Sequence, residues 1–233
     1  MSGEIISAEE ELFQQAEMLV FSAKSLLEQK KSEFPWLAEA EGKSIALVPN
    51  GADVSHFQWG AASKQRIAGY AGSLDEWFDV DAVEAAALAN PRAQFVLLGR
   101  IEDEKVRKLA SIPNVRLYGE IPYQRLPAYL SEFDVGLIPF LVNPLTLATN
   151  PIKLYEYFAC GMPVVSAALP EVAAYGPLVY TAFSAQEFAA QVTRALSEQD
   201  PERRRQRRAA AEGESWGVRA ARLSQALESG VQS

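Results

Sequence analysis

The residues of this chain best suited to chemistry stand together at 149–156, Thr149-Asn150-Pro151-Ile152-Lys153-Leu154-Tyr155-Glu156. Asn150 is a type that caps helices, Pro151 suits the first helical position, and Gly161 suits a C-terminal stop. A helix is therefore predicted over 152–160. Its start would offer unpaired backbone N–H groups and a partial positive charge to an anion. Lys153, in the first turn, could add a full charge toward the same anion. Glu156 follows three residues later on the same face. A phosphate at the helix start and a pair of sugar hydroxyls on the carboxylate are geometrically compatible. An ordinary surface ion pair between Lys153 and Glu156, worth under ~1 kcal/mol, would use the same two residues. A lysine in the first turn opposes the helix dipole, which favours a bound anion.

Other candidates are weaker. Glycines in Gly69-Tyr70-Ala71-Gly72-Ser73 would let a ligand approach the backbone, though a plain turn at a strand end is the simpler reading. Trp77 and Phe78 after it need a core or a ligand, and core packing is expected. Val115-Arg116-Leu117-Tyr118-Gly119-Glu120-Ile121-Pro122 could lay backbone polar groups along the edge of a flat base, or form a simple strand-to-helix turn. The lone histidine, His56, is expected to pack in a loop, and Cys160 to sit in the core.

The elements that must position these groups alternate between short apolar runs and amphipathic stretches, the pattern of parallel α/β architecture. Strands are predicted over 18–22, 44–48, 66–70, 94–98, 115–118, 135–139, 163–167 and 178–180, and helices over 80–88, 102–110, 126–132, 152–160 and 185–196. Unbroken runs such as Phe95-Val96-Leu97-Leu98 suit central strands covered on both faces. Ligands of such sheets sit beyond the carboxyl ends of the strands, which here means the loops at 72–78, 99–102, 119–122, 140–150 and 168–172. Pro49-Asn50-Gly51 marks a boundary. The two strands before it are too few for an independent core, and the regular units run over 50–198. The tail, 199–233, reads as surface helices anchored by Trp216 and Leu223.

Composition narrows the partners. The 233 residues are 48% hydrophobic and 22% charged, with a net charge of -8. That balance argues against a general nucleic-acid binder. The basic run at 203–208 reads as a solvated helix face, with peripheral contact to anionic lipid headgroups as the alternative. One cysteine excludes an internal disulfide and fits a reducing compartment. No signal peptide is read in 1–11, and no apolar run approaches the ~20 residues of a membrane span. One histidine and one cysteine do not build a zinc site of the usual kind. The expectation is a cytoplasmic protein without a structural metal.

Taken in order, several elements carry a resemblance: Val48-Pro49-Asn50-Gly51-Ala52-Asp53 with Phe57, then 67–72, 95–99, Asn114 to Gly119, Phe133-Asp134-Val135 with Leu137-Ile138-Pro139, and 153–165. They resemble the C-terminal, donor-binding half of retaining, nucleotide-sugar-dependent glycosyltransferases of the GT-B fold, the glycosyl transferases group 1 type. Trp216 in a late helix is similar to the family's closing segment. The resemblance implies a Rossmann-like parallel sheet with helices on both faces. It implies that Glu156 binds the ribose of the donor and that residues 149–153 lie against the pyrophosphate or sugar. The turn at 119–121 would meet the base, and Gly72 and Ser73 would lie near the phosphates. The donor residues expected on this basis are Gly72, Ser73, Arg100, Tyr118, Ile121, Thr149, Asn150, Lys153 and Glu156, with no catalytic residue assigned.

Two departures from that pattern stand out. Many members place a second glutamate eight positions before the one matching Glu156, where this chain has Ala148. Many also carry a basic residue in the loop after the first strand, which here reads Ser73-Leu74-Asp75-Glu76. The phosphate charge would then fall to Lys153, with Arg100. Residues 1–49 would be the remnant of an acceptor domain plus linker, so that the chain holds one wall of the catalytic cleft. The implied activity is metal-independent sugar transfer from a nucleoside diphosphate sugar, as substrate rather than cofactor, to a glycan or lipid-linked acceptor. The alternative is a non-catalytic Rossmann-like nucleotide-binding or protein-interaction module. A Lys153–Glu156 pair buried in a cleft speaks for the first, and a pair facing bulk solvent for the second.

Overall fold

The computed structural model describes residues 3–39, 43–57 and 66–230. It opens with α1 (Gly3–Gln15), β1 (Met18–Phe21), α2 (Lys24–Glu33) and β2 (Ser44–Leu47). The core units follow: β3 (Ile67–Ala71), α3 (Val80–Ala89), β4 (Gln94–Leu98), β5 (Val115–Gly119), α4 (Leu126–Leu130) and β6 (Val135–Ile138). After them come α5 (Pro144–Leu147), α6 (Ile152–Ala159), β7 (Val164–Ala167), α7 (Pro170–Ala173), β8 (Val179–Ala182) and α8 (Ala185–Ala195). The chain closes with α9 (Pro201–Gly213) and α10 (Trp216–Gly230).

Six strands form one parallel sheet in the order β5-β4-β3-β6-β7-β8, flanked by helices. The chain thus builds outward from β3 in one direction, then returns and builds outward from β6 in the other. The switch point between β3 and β6 is where such sheets leave a crevice at their carboxyl ends. The predicted strands match these elements to within one or two residues, because each is an apolar run bounded by turn residues. β6 and β7 are buried at every position, as expected of strands covered on both faces. The stretch predicted as a helix at 102–110 is a 3-10 helix, Glu104–Ser111, started by the Asp103 side chain accepting from the Lys105 N–H.

Small residues in the central strands decide how closely α6 approaches. A Cβ on Gly136 of β6 would lie 2.4 Å from the Tyr157 ring, so only glycine leaves room for that side chain. Tyr157 is fully buried, and its hydroxyl accepts from the Ala71 N–H at 3.0 Å, at the end of β3. The first turns of α6 are thereby held over the switch point.

β1 and β2 form a separate two-stranded parallel sheet around Leu19, Phe21, Phe34 and Leu37. Buried Lys30 ties α2 to α1 through Glu9, at 2.6 Å. This segment meets the larger body through polar contacts. The Ser25 N–H and hydroxyl both donate to Glu171 at 2.9 and 3.1 Å, and Asn50 donates through its side chain to the Asn150 carbonyl at 2.7 Å.

Two expectations for the tail are corrected. The run at 203–208 is not a solvated face throughout: Arg207 is wholly buried, paired with Glu198 at 2.5 and 2.8 Å and donating to the Leu178 carbonyl at 2.8 Å. Arg203 reaches the same carboxylate at 3.4 Å. Trp216 is no anchor, being 45% exposed, and Leu223 is only partly buried. Among the described residues of α10 the buried one is Arg219, whose Nε donates to the Asn50 carbonyl at 3.2 Å and whose guanidinium lies over the Tyr155 ring. Among the described residues, no helix is long and apolar enough to cross a membrane.

Candidate nucleotide-sugar cleft

A cleft of about 480 Å³ opens over the carboxyl ends of β3, β4 and β5, with the first turns of α6 as one wall. Gly72, Ser73, Arg100, Ile121, Lys153 and Glu156 all line it. Gly72 holds a φ of +151°, a conformation side-chain-bearing residues rarely adopt. A Cβ on Gly72 would lie 2.4 Å from Lys153 Cε and 2.6 Å from its Nζ. The ammonium of Lys153 therefore rests directly on the bare backbone at the end of β3.

Lys153 lies over two aromatic rings, with Nζ 5.2 Å from the Tyr70 centroid and 5.4 Å from the Phe140 centroid. Among the described residues no carboxylate comes within 4.0 Å of that ammonium. Burial lowers its pKa from the ordinary lysine value, partly offset by the field of Glu156. Glu156 is 8% exposed, and among the described residues its carboxylate accepts no hydrogen bond. Burial raises its pKa above the usual carboxylate range, offset in part by Lys153 and His56. Two opposite charges thus share one cleft without contact, each paying for lost hydration. Buried polar groups normally find partners, so groups left open in a cleft point to a ligand that completes them.

Three of the expected residues lie elsewhere. Tyr118 is 53% exposed and belongs to a separate groove beside Tyr129 and Phe133, because strand alternation sends it away from the cleft. Thr149 spends its hydroxyl on the Leu145 carbonyl, 2.8 Å away. Asn150 is not the cap of α6. The flanking position is Pro151, with no side-chain cap, and Asn150 instead donates to Tyr155 at 3.0 Å and Glu171 at 3.1 Å. Its Oδ1 also accepts the Asn50 N–H at 3.2 Å, so it braces linker, α6 and α7 together. Arg100 lines the cleft but is exposed and already paired with Glu102.

Sequence reasoning passed over Tyr123, which lines the cleft just after the Ile121-Pro122 turn. Its ring is stacked on His56 at 4.6 Å with an interplanar angle of 14°. The Pro that precedes it was the available signal, because it fixes the entry to the 3-10 turn Tyr123–Arg125. Trp77, Phe78 and Cys160 pack in or against the core as expected, and burial pushes the Cys160 thiol up to about 12.

A Rossmann-like parallel sheet, with its cleft at the switch point, defines the class of protein. The chain belongs to the glycosyl transferases group 1 family, whose model matches residues 65–198. TuaH of Bacillus subtilis strain 168, named for teichuronic acid biosynthesis as a glycosyltransferase, is 26% identical over 178 residues, 71% of this chain and 44% of that protein. Sucrose-phosphate synthase from Thermosynechococcus elongatus shares the fold at a TM-score of 0.74 and 19% identity, over 98% of this chain and 62% of that one. HepE of Anabaena, solved in complex with UDP-glucose, does so at 0.74 and 15% identity, over 98% of this chain and 68% of that one. The chain spans less than half of the curated relative and under two thirds of the sucrose-phosphate synthase chain.

Proposed function

We propose that this chain is the donor-binding part of a glycosyltransferase, holding a nucleoside diphosphate sugar along the carboxyl ends of β3, β4 and β5. The observation that carries this reading is the unpartnered pair of Lys153 and Glu156 facing one cleft. Lys153, with the N–H groups at the start of α6, meets the diphosphate, and Glu156 accepts from the ribose hydroxyls. As the sugar–phosphate bond breaks, the leaving diphosphate gains charge beside the ammonium, and that attraction lowers the barrier. Transfer proceeds in this reading without a metal. The acceptor is a glycan or a lipid-linked carrier, met by a domain that the longer relatives have room for. A reducing cytoplasm suits the free, buried Cys160. That HepE was solved with UDP-glucose supports a sugar nucleotide as the ligand.

The test is isothermal titration of the whole chain with UDP, GDP and dTDP, alongside Glu156→Ala and Lys153→Ala. One nucleotide should bind, and each substitution should weaken it by about 1–3 kcal/mol, the scale of a hydrogen bond to a charged group. Ala148, in place of a carboxylate, keeps a non-catalytic module as the second reading. No binding at millimolar nucleotide would put that reading first.

A further inference from the structure

The His56–Tyr123 stack lies outside the strands of the sheet, and Tyr123 is 46% exposed at the wall of the cleft. Both partners are held in place. The Asp53 carboxylate accepts the N–H groups of Ser55 at 3.1 Å and His56 at 3.2 Å, which closes a turn under the imidazole. His56 Nε2 lies 3.1 Å from the Tyr123 carbonyl, and buried Phe57 packs edge-on against both rings at 5.1 and 5.8 Å. Pro122, with φ -56°, fixes the chain on the other side. The tyrosine ring is therefore a plate with one face covered and its orientation set, within the electrostatic reach of Glu156.

We infer that Tyr123, backed by His56, is the platform on which the aromatic base of the donor nucleotide stacks. The inference rests on the donor reading above and adds the residue that receives the base. A plate of this kind is indifferent to hydrogen-bond pattern, since every base has a π-face. It sets affinity for a nucleoside over a bare diphosphate, while the choice among bases falls to backbone groups of the 119–122 turn. Tyr118, expected to meet the base, faces another groove, so Tyr123 takes that place.

The experiment compares UDP, GDP, dTDP and inorganic pyrophosphate on the whole chain and on Tyr123→Ala, Tyr123→Phe and His56→Ala, with thermal melting as the folding control. Tyr123→Ala should lose about 5- to 150-fold in affinity for the nucleotide that binds, the usual effect of removing a stacking ring. Pyrophosphate binding should not change, and Tyr123→Phe should retain nucleotide affinity. His56→Ala should show the same pattern at smaller size. Unchanged nucleotide affinity in Tyr123→Ala, with Glu156→Ala still impaired, overturns the platform and leaves the donor reading standing. Equal losses for pyrophosphate and nucleotides also overturn it. Failure of the unaltered chain to bind any of the three nucleotides overturns both.

Discussion

Replacing Gly72 with alanine tests the floor of the cleft and the lysine above it together. The added methyl meets Lys153 Cε at 2.4 Å and Nζ at 2.6 Å, so the side chain must retreat by ~1 Å to reach an ordinary contact of about 3.5 Å. Retreat carries the ammonium off the Tyr70 and Phe140 rings, an interaction of about 0.5–2 kcal/mol. The φ of +151° adds about 1–3 kcal/mol of backbone strain. With each kcal/mol worth about 2–4 °C in a domain of this size, melting should fall by roughly 3–20 °C. If Lys153 meets the diphosphate, UDP affinity should fall by about 1.5–3 kcal/mol as well, the value of a charged hydrogen bond. Gly176→Ala is the control: its φ is +52° and a Cβ there meets nothing within 4 Å. It should lose stability and keep full affinity. Differential scanning calorimetry and titration calorimetry on the same samples read both quantities. A destabilised Gly72→Ala that binds UDP as tightly as the parent refutes the role given to Lys153, and an unshifted melting temperature refutes the strain argument.

Glu156→Gln should raise the melting temperature at pH 7 while weakening nucleotide binding by no more than the roughly 1–3 kcal/mol expected of Glu156→Ala. Its folded-state pKa is raised, so its contribution favours the fold below the unfolded value and is lost as pH rises through the folded one. The gain from glutamine should therefore vanish near pH 4, which melting across that range will show. Asn150→Ala removes acceptors and donors for Asn50, Tyr155 and Glu171 at once, and should cost about 2–4 kcal/mol in urea unfolding. Arg207→Ala leaves Glu198 without its main partner in a part-buried site and should cost about 3–5 kcal/mol in the same assay.

The fold was legible because its strands are apolar runs, and period and punctuation are local properties. Residues that act through distant partners were not. Asn150 before Pro151 has the local chemistry of a cap, and only the approach of Asn50 and Glu171 from remote segments explains its actual use. Arg207 is one of five arginines in the run 203–208, and its burial depends on where Glu198 comes to lie. Tyr118 is a different case, since alternation from buried Val115 already places Leu117 inward and Tyr118 outward. Lys153 and Glu156 were found because the misfit of Lys153 with the helix dipole and the spacing of the pair are both visible locally.

The paired glycines at the strand ends restrict how this cleft can change. A Cβ on Gly99, itself at φ +147°, would lie 1.8 Å from the Gly72 carbonyl oxygen, so these two backbones are locked face to face. Gly99 admits no side chain of any kind, charged or otherwise, without rebuilding both loops, and at Gly72 even a methyl displaces Lys153. A cation close to the floor must therefore descend from the helix above, as Lys153 does. Any attempt to redesign phosphate affinity should vary α6 and leave Gly99 untouched, since a library randomised at 99 would return only glycine.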